Sequence, residues 1–171
     1  MSVGVVKSAS ELEQILALQQ GNLVQTSDGF VTVRHTLAIL EVMHAAMPSV
    51  VARDDGGAVV GYALSMPQAI APLLPLLGPM FARLARLPTL AGRRWYVMGQ
   101  VCVADAWRGR GVFDALYAQH RAVYSPSYDC LVTEIATRNP RSLRAHARVG
   151  FVELDHYRDA TDEWSVVGWS W

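Results

Sequence analysis

The chain has no net charge: fifteen Lys and Arg side chains stand against fifteen Asp and Glu among 171 residues. Such a balance sets up no overall field toward nucleic acid or an anionic membrane, so any anion binding has to be local. Cysteine is scarce. Cys102 and Cys130 each sit inside an apolar run, and neither belongs to a CxxC or other metal-ligand spacing. That excludes a disulfide scaffold and a thiolate metal site, and leaves two reduced core residues. No stretch reaches the roughly 18 uninterrupted apolar residues of a membrane helix. The opening "MSVGVVKSAS" lacks the basic-then-apolar order of a secretory leader. The expectation is a cytoplasmic protein with neither nucleic acid nor membrane as partner. His35, His44, His120 and His156 have no companions at metal spacing and read as structural, so no metal is expected.

What is present is apolar residue, 51% of the chain. A chain of this length can bury roughly two thirds of the surface its unfolded form exposes, without staples. "SASELEQILALQQ" predicts a helix with Ser8 and Glu11 at capping-box spacing, and "RHTLAILEVMHAA" predicts a second helix ended by Pro48. "SVVARDDGGAVVGYALSM" reads as a hairpin around DDGG. Residues 67–90 mix five of the chain's eight prolines, and Gly78, with Leu, Ile, Met and Phe; a loop and then a short helix from Met80 to Leu87 are expected. Next come a strand "RWYVMGQVCVAD", a turn "RGRGVF", a helix to about Tyr124, and a strand "DCLVTEIAT". "NPRSLRAHARVG" carries a helix signature, with Asn139 as N-cap, Pro140 in the first turn and Gly150 at the close. The tail reads as two strands joined around Asp159 to Asp162. No repeat or linker interrupts the order, which makes residues 1–171 one mixed α/β domain.

The chemistry concentrates at "RGRGVF". Gly109 and Gly111 permit positive φ at the end of a strand, and the helix that follows offers unpaired N-terminal donors and the positive end of its dipole. Such a turn can hold phosphate, with Arg108 and Arg110 adding charge; it can equally be a structural turn. A P-loop needs Gly-Lys-Ser/Thr and a dinucleotide fingerprint needs a third spaced glycine, and both are missing. Gly99, in the middle of the preceding strand, predicts a bulge or a close approach by something else.

"VCVADAWRGRGVFDAL" resembles the acyl-CoA-binding core of the GNAT superfamily of N-acetyltransferases, and "NPRSLRAHARVGF" resembles that superfamily's second motif. Arg108 and Gly111 match the first pattern, while Phe113 stands where Gly or Ala is usual. Asn139, Ser142, Gly150 and Phe151 fall in register with the second, and His146 occupies the position where Tyr is most frequent. The resemblance covers residues 95–158. It implies an α/β (α+β) fold with a mixed, mostly antiparallel sheet, two splayed central parallel strands and helices on both faces.

The same resemblance implies acetyl-CoA as co-substrate. The backbone of Val101, Cys102 and Val103 would pair with the pantetheine arm, and Arg108, Gly109, Arg110, Gly111, Val112 and Phe113 would hold the pyrophosphate. Asn139 and Ser142 of the second motif complete the cofactor-binding set. The implied reaction is direct attack on the thioester by a primary amine of a small-molecule or amino-acid-like acceptor. His146 is the candidate general acid, with pantetheine or structural contact and plain surface exposure as alternatives. Glu134, an acid inside an apolar strand, is the candidate general base; the alternative is an ion pair to Arg138, Arg141 or Arg144. Asp105 and Gln100 are weaker options. The segment 67–90 would form part of an acceptor site or a homodimer contact. Three tryptophans in "EWSVVGWSW" would line an acceptor pocket or pack in the core. A non-catalytic acyl-CoA-binding module is the alternative function.

Overall fold

The computed structural model describes residues 1–23 and 33–171, with Leu76 by its backbone alone. It resolves into two compact units, Met1–Met66 with Met98–Val123, and Pro67–Val97 with Tyr124–Trp171.

In the first unit, strand β1 (Ser2–Val5) pairs antiparallel with β2 (Val50–Arg53), and β2 with β3 (Val59–Pro67). The β2–β3 hairpin is the one expected around DDGG: the Asp54 carboxylate accepts from the backbone N–H of Gly56 and of Ala58, each at 2.9 Å. β1 was not foreseen. Four residues centred on a glycine carry no period of their own, and the strand exists through its register with β2, from Ser2↔Arg53 to Val5↔Val50. Helix α1 (Ala9–Gly21) starts where the capping spacing placed it, with the Ser8 side chain accepting from the Glu11 N–H. Such a cap contributes about 1 kcal/mol. Glu11 does not complete the reciprocal box: its carboxylate takes the Lys7 N–H and pairs with Arg53 of β2, which pins the start of α1 to the sheet. Helix α2 (Leu37–Ala46) is capped by Thr36 and stops before Pro48.

Strand β4 (Trp95–Val103) runs from the second unit into the first, and is followed by a 3-10 turn at Asp105–Trp107 and helix α4 (Val112–Tyr124). Gly99 lies under a close approach, as expected: a Cβ there would sit 2.3 Å from Met66 Cε, so the Met66 side chain would have to move. Leu12, Ile15, Leu40, Met43, Val50, Tyr62, Met66, Met98, Val112, Leu116 and Tyr117 are all buried in this unit.

In the second unit, residues 67–90 fold as short 3-10 turns around helix α3 (Gly78–Leu84) rather than as a loop and a helix to Leu87. Pro79 sits in the first turn of α3, where its missing N–H costs nothing, so the helix starts two residues earlier than expected and also ends earlier. Strand β5 (Cys130–Ala136), helix α5 (Pro140–Val149), β6 (Val152–Arg158) and β7 (Glu163–Ser170) follow as the sequence indicated. Gly150 closes α5 with a left-handed φ of 115°.

The hydrogen-bonded strand order is β1-β2-β3-β4-β5-β7-β6. β5 pairs parallel with β4 and antiparallel with β7, and β6 pairs antiparallel with β7. The sheet is therefore mixed and mostly antiparallel, with β4 and β5 as its parallel pair. That parallel register spans Trp95↔Cys130 to Val97↔Val132, whereas β5 keeps its antiparallel partner over its whole length, from Cys130↔Ser170 to Ala136↔Trp164.

Candidate functional site

In the first unit, the expected cofactor residues 101–103 lie at the end of β4, and 108–113 lie in the connection after it and at the start of α4. Val101 and Val103 are half-buried while Cys102 between them is buried, the alternation of a strand with one open face. Burial pushes the Cys102 thiol up to about 12, so it is a protonated core group and no nucleophile. Gly109 and Gly111 have φ of 70° and 77°, the left-handed region that side chains disfavour, and an added Cβ on either would meet nothing within 4 Å. Their requirement is thus conformational, not steric. Together they turn the backbone so that it enters α4, whose first helical bond runs from Ala115 N–H to Gly111 carbonyl at 3.0 Å.

Of the two arginines, only Arg110 is exposed; its guanidinium lies 5.4 Å from the Trp107 ring centroid. Arg108 is turned back into the fold. It donates to the Val103 carbonyl at 3.3 Å and to Asn22 Oδ1 at 2.8 Å, and pairs with Asp105 at 2.8 Å. Arg108 therefore braces the end of β4 against the end of α1, and Asp105 belongs to that brace. The Phe113 ring, the departure from the family pattern, packs at a tilt against Tyr117 one turn along its own helix, with centroids 5.0 Å apart. Gln100 is also committed: its Oε1 accepts from Gln19 Nε2 at 2.8 Å and from the Tyr62 hydroxyl at 2.6 Å, and its Nε2 donates to the Val33 carbonyl at 2.7 Å. These groups are satisfied by one another, which leaves Gln100 a structural residue.

In the second unit, α5 carries Asn139, Ser142 and His146. The Asn139 side chain accepts from the Ser142 N–H at 3.2 Å, so both residues take part in starting the helix. His146 is 2% exposed, with its ring edge against Phe151 at 5.0 Å between centroids. Its Nδ1 lies 2.8 Å from the Ser142 carbonyl, a contact that requires Nδ1 to carry a proton and donate. Burial drives the imidazole down to about 4. The ring is therefore neutral at physiological pH, with its Nδ1 proton engaged by the helix backbone; the surface-exposed alternative does not hold.

Glu134 of β5 is half-buried, and burial pushes its carboxyl above the usual range. Its hydrogen-bond partner is none of the three arginines considered from the sequence but Tyr157 of β6, whose hydroxyl donates to Oε2 at 2.5 Å. Arg138 pairs instead with Asp162. Sequence reasoning missed Tyr157 because the β5-β7-β6 order, which brings the two strands to one face, is set by the antiparallel return of β7 and has no local signal. Of the tail tryptophans, Trp169 packs at a tilt against Phe151 and edge-on against Trp171, and Trp164 donates to Asp159.

His120 is wholly buried against the Ala63 carbonyl, His35 is buried as well, and burial lowers both to about 4. His156 faces Glu163 at 3.0 Å. Among the described residues no group of His, Cys, Asp and Glu is placed to hold a metal, and no helix is long and apolar enough to cross a membrane.

The fold is shared with solved structures of acetyltransferases, one of them described as a GNAT superfamily member. No family model matches the sequence, and no curated protein does. Solved structures match over nearly all of the chain. A ribosomal-protein-alanine N-acetyltransferase from Brucella melitensis superimposes with a TM-score of 0.71 at 19% identity, covering 100% of both chains. A GNAT superfamily phosphinothricin acetyltransferase from Sinorhizobium meliloti, in complex with AcCoA, gives 0.67 at 14% identity, with 99% of this chain and 87% of that one covered. A NatC complex bound to Gag peptide and CoA gives 0.71 at 12% identity, covering 99% and 98%.

Proposed function

We propose that the chain is an acetyl-CoA-dependent N-acetyltransferase that acetylates a primary amine of a small-molecule or amino-acid-like acceptor. The observation that carries the reading is the pair of left-handed glycines, Gly109 and Gly111, feeding the N-terminus of α4. That geometry presents backbone donors and a positive helix end to a diphosphate, and the exposed Arg110 adds charge beside it. On this reading Val112 and Phe113 contribute backbone N–H groups, and Arg108 acts by bracing the turn. Val101 to Val103 offer strand-edge groups to the pantetheine amides. Asn139 and Ser142 serve by fixing the start of α5.

The chemistry is a direct displacement. The acceptor ammonium gives a proton to Glu134, and the amine lone pair forms the new C–N bond at the thioester carbonyl. The C–S bond then breaks, and the thiolate leaves with its electron pair and takes the second amine proton through solvent. A neutral His146 has no role as a cationic acid here; its part is to hold α5 against Phe151. A protein α-amino group is a second reading for the acceptor, favoured by the likeness to a ribosomal-protein-alanine acetyltransferase and a peptide-bound NatC complex.

The test is a panel of small amines, amino acids and short peptides with acetyl-CoA and thiol detection. Thiol release with small amines supports the leading reading, and release with peptides alone supports the second. Binding of acetyl-CoA without release under any acceptor identifies a non-catalytic binding module.

A further inference from the structure

Glu134 stands opposite Val166 on β7, and Val166 stands opposite Asp155 on β6. Residues in register across a sheet share a face, and so do residues two apart along a strand. Glu134, Asp155 and Tyr157 therefore lie on one face of the second unit. Helix α3 covers that group through one side chain: the Arg83 guanidinium lies 3.9 Å from the Tyr157 ring centroid, and its Nη1 reaches Asp155 Oδ2 at 3.1 Å. The ring is thus held by a cation on its face and by the carboxylate that its hydroxyl meets at 2.5 Å.

We propose that Tyr157, clamped by Arg83, is the positioning residue that keeps Glu134 ionised and oriented as the base for the acceptor ammonium. The inference rests on the acetyltransferase reading, since it assigns a helper to that reaction's base. With Oε2 engaged by Tyr157, the proton from the acceptor nitrogen passes to Oε1, and the nitrogen keeps the electron pair that forms the C–N bond. A short charge-assisted bond to a carboxylate stabilises its ionised form, and a guanidinium nearby acts in the same direction. Both oppose burial and the like charge of Asp159, which push the Glu134 carboxyl upward. β7 opposes Glu134 with the uncharged Val166. A base of this kind has to be desolvated enough to hold a proton and still be ionised at neutral pH, and the Tyr157 hydroxyl supplies the second condition.

The experiment compares wild type with Tyr157→Phe and Arg83→Met, using 13C-glutamate carboxyl NMR with Glu134→Gln for assignment, alongside pH profiles of kcat/KM. Losing a hydrogen bond to an ionised group corresponds to a rise of about one pKa unit. The Glu134 midpoint in Tyr157→Phe should rise by about that much, and the acid limb of kcat/KM should move up by the same amount. The plateau above the limb should fall as well, because the ionised carboxylate has lost the hydroxyl that orients it. Arg83→Met should shift both in the same direction by less. A Glu134 midpoint that stays put overturns the proposal, as does a uniform loss of rate with the limb fixed. A wild type that frees no thiol from any amine removes the acetyltransferase reading and this proposal with it. That failure is separate from the others, in which wild type turns over and only the variants decide.

Discussion

Replacing Gly111 by Asn and, separately, by Asp isolates the charge environment of the proposed diphosphate site. Gly111 has a φ of 77°, and a Cβ there meets nothing within 4 Å, so both variants pay only the left-handed backbone cost, about 1 kcal/mol. Asn and Asp tolerate that conformation better than other side chains and have nearly the same shape. Their stabilities should therefore match, each with a melting temperature about 2–4 °C below wild type. They differ in one negative charge. A unit charge about 5 Å from a phosphate interacts by about 1 kcal/mol in water and by about 3 kcal/mol at an effective dielectric constant of about 20. Gly111 is exposed, so the lower end applies, and the Asp variant should bind CoA about five- to tenfold more weakly than the Asn variant. The assay is calorimetric titration at low salt, with pantetheine, which has no phosphate, as the control ligand. Raising the salt should shrink the gap between the variants for CoA. Equal CoA affinities for Asn and Asp at low salt, or an equal gap with pantetheine, would falsify the assignment of the turn to the diphosphate.

Other expectations follow from the interior. His35, His120 and His146 are each lowered to about 4 from an unfolded value near 6.5, so the unfolded chain binds their protons first. Stability is fully present above about pH 6.5 and falls as the pH drops toward 4, and the melting temperature should decline steeply there, with a shallower decline in His146→Phe. His146→Phe should also keep wild-type turnover at pH 7 to 9; a loss of more than about tenfold in kcat with cofactor affinity spared would restore an acid role to the ring. Gly99→Ala drives a Cβ into Met66 and should cost about 1–3 kcal/mol, read by denaturant unfolding; adding Met66→Ala should cost less than the two single changes summed, because the clash is then gone. Arg108→Ala should lower the melting temperature by releasing Val103, Asn22 and Asp105, while leaving the salt dependence of CoA binding as it was.

The parts legible in the sequence were those with local causes. Ser8 and Asn139 announced their helices because a cap is made within three residues, and the glycines of "RGRGVF" took the positive φ their type allows. The central strands were legible because long apolar runs are what two-sided burial demands. The parts that stayed hidden are settled by partners distant in the chain. β1 exists through Arg53, Ala52, Val51 and Val50, and Arg108 finds Asn22 across 86 positions. Glu134 meets Tyr157 only after β7 has folded back between β5 and β6. His146 shows the same limit from the other side: its spacing from Asn139 placed it on α5 correctly, but its charge state depends on Phe151 and on burial, which no spacing encodes.

The central claim is that this chain binds acetyl-CoA and passes its acetyl group to an amine. Thermal unfolding with and without acetyl-CoA, followed by thiol detection across the amine and peptide panel, tests it most directly. At a hundred-fold excess over the dissociation constant, binding to the folded chain adds about 2.7 kcal/mol, enough to raise the melting temperature by several degrees. The account predicts that rise together with thiol release that depends on the acceptor. A melting temperature unmoved by saturating acetyl-CoA, with no thiol released, would contradict it.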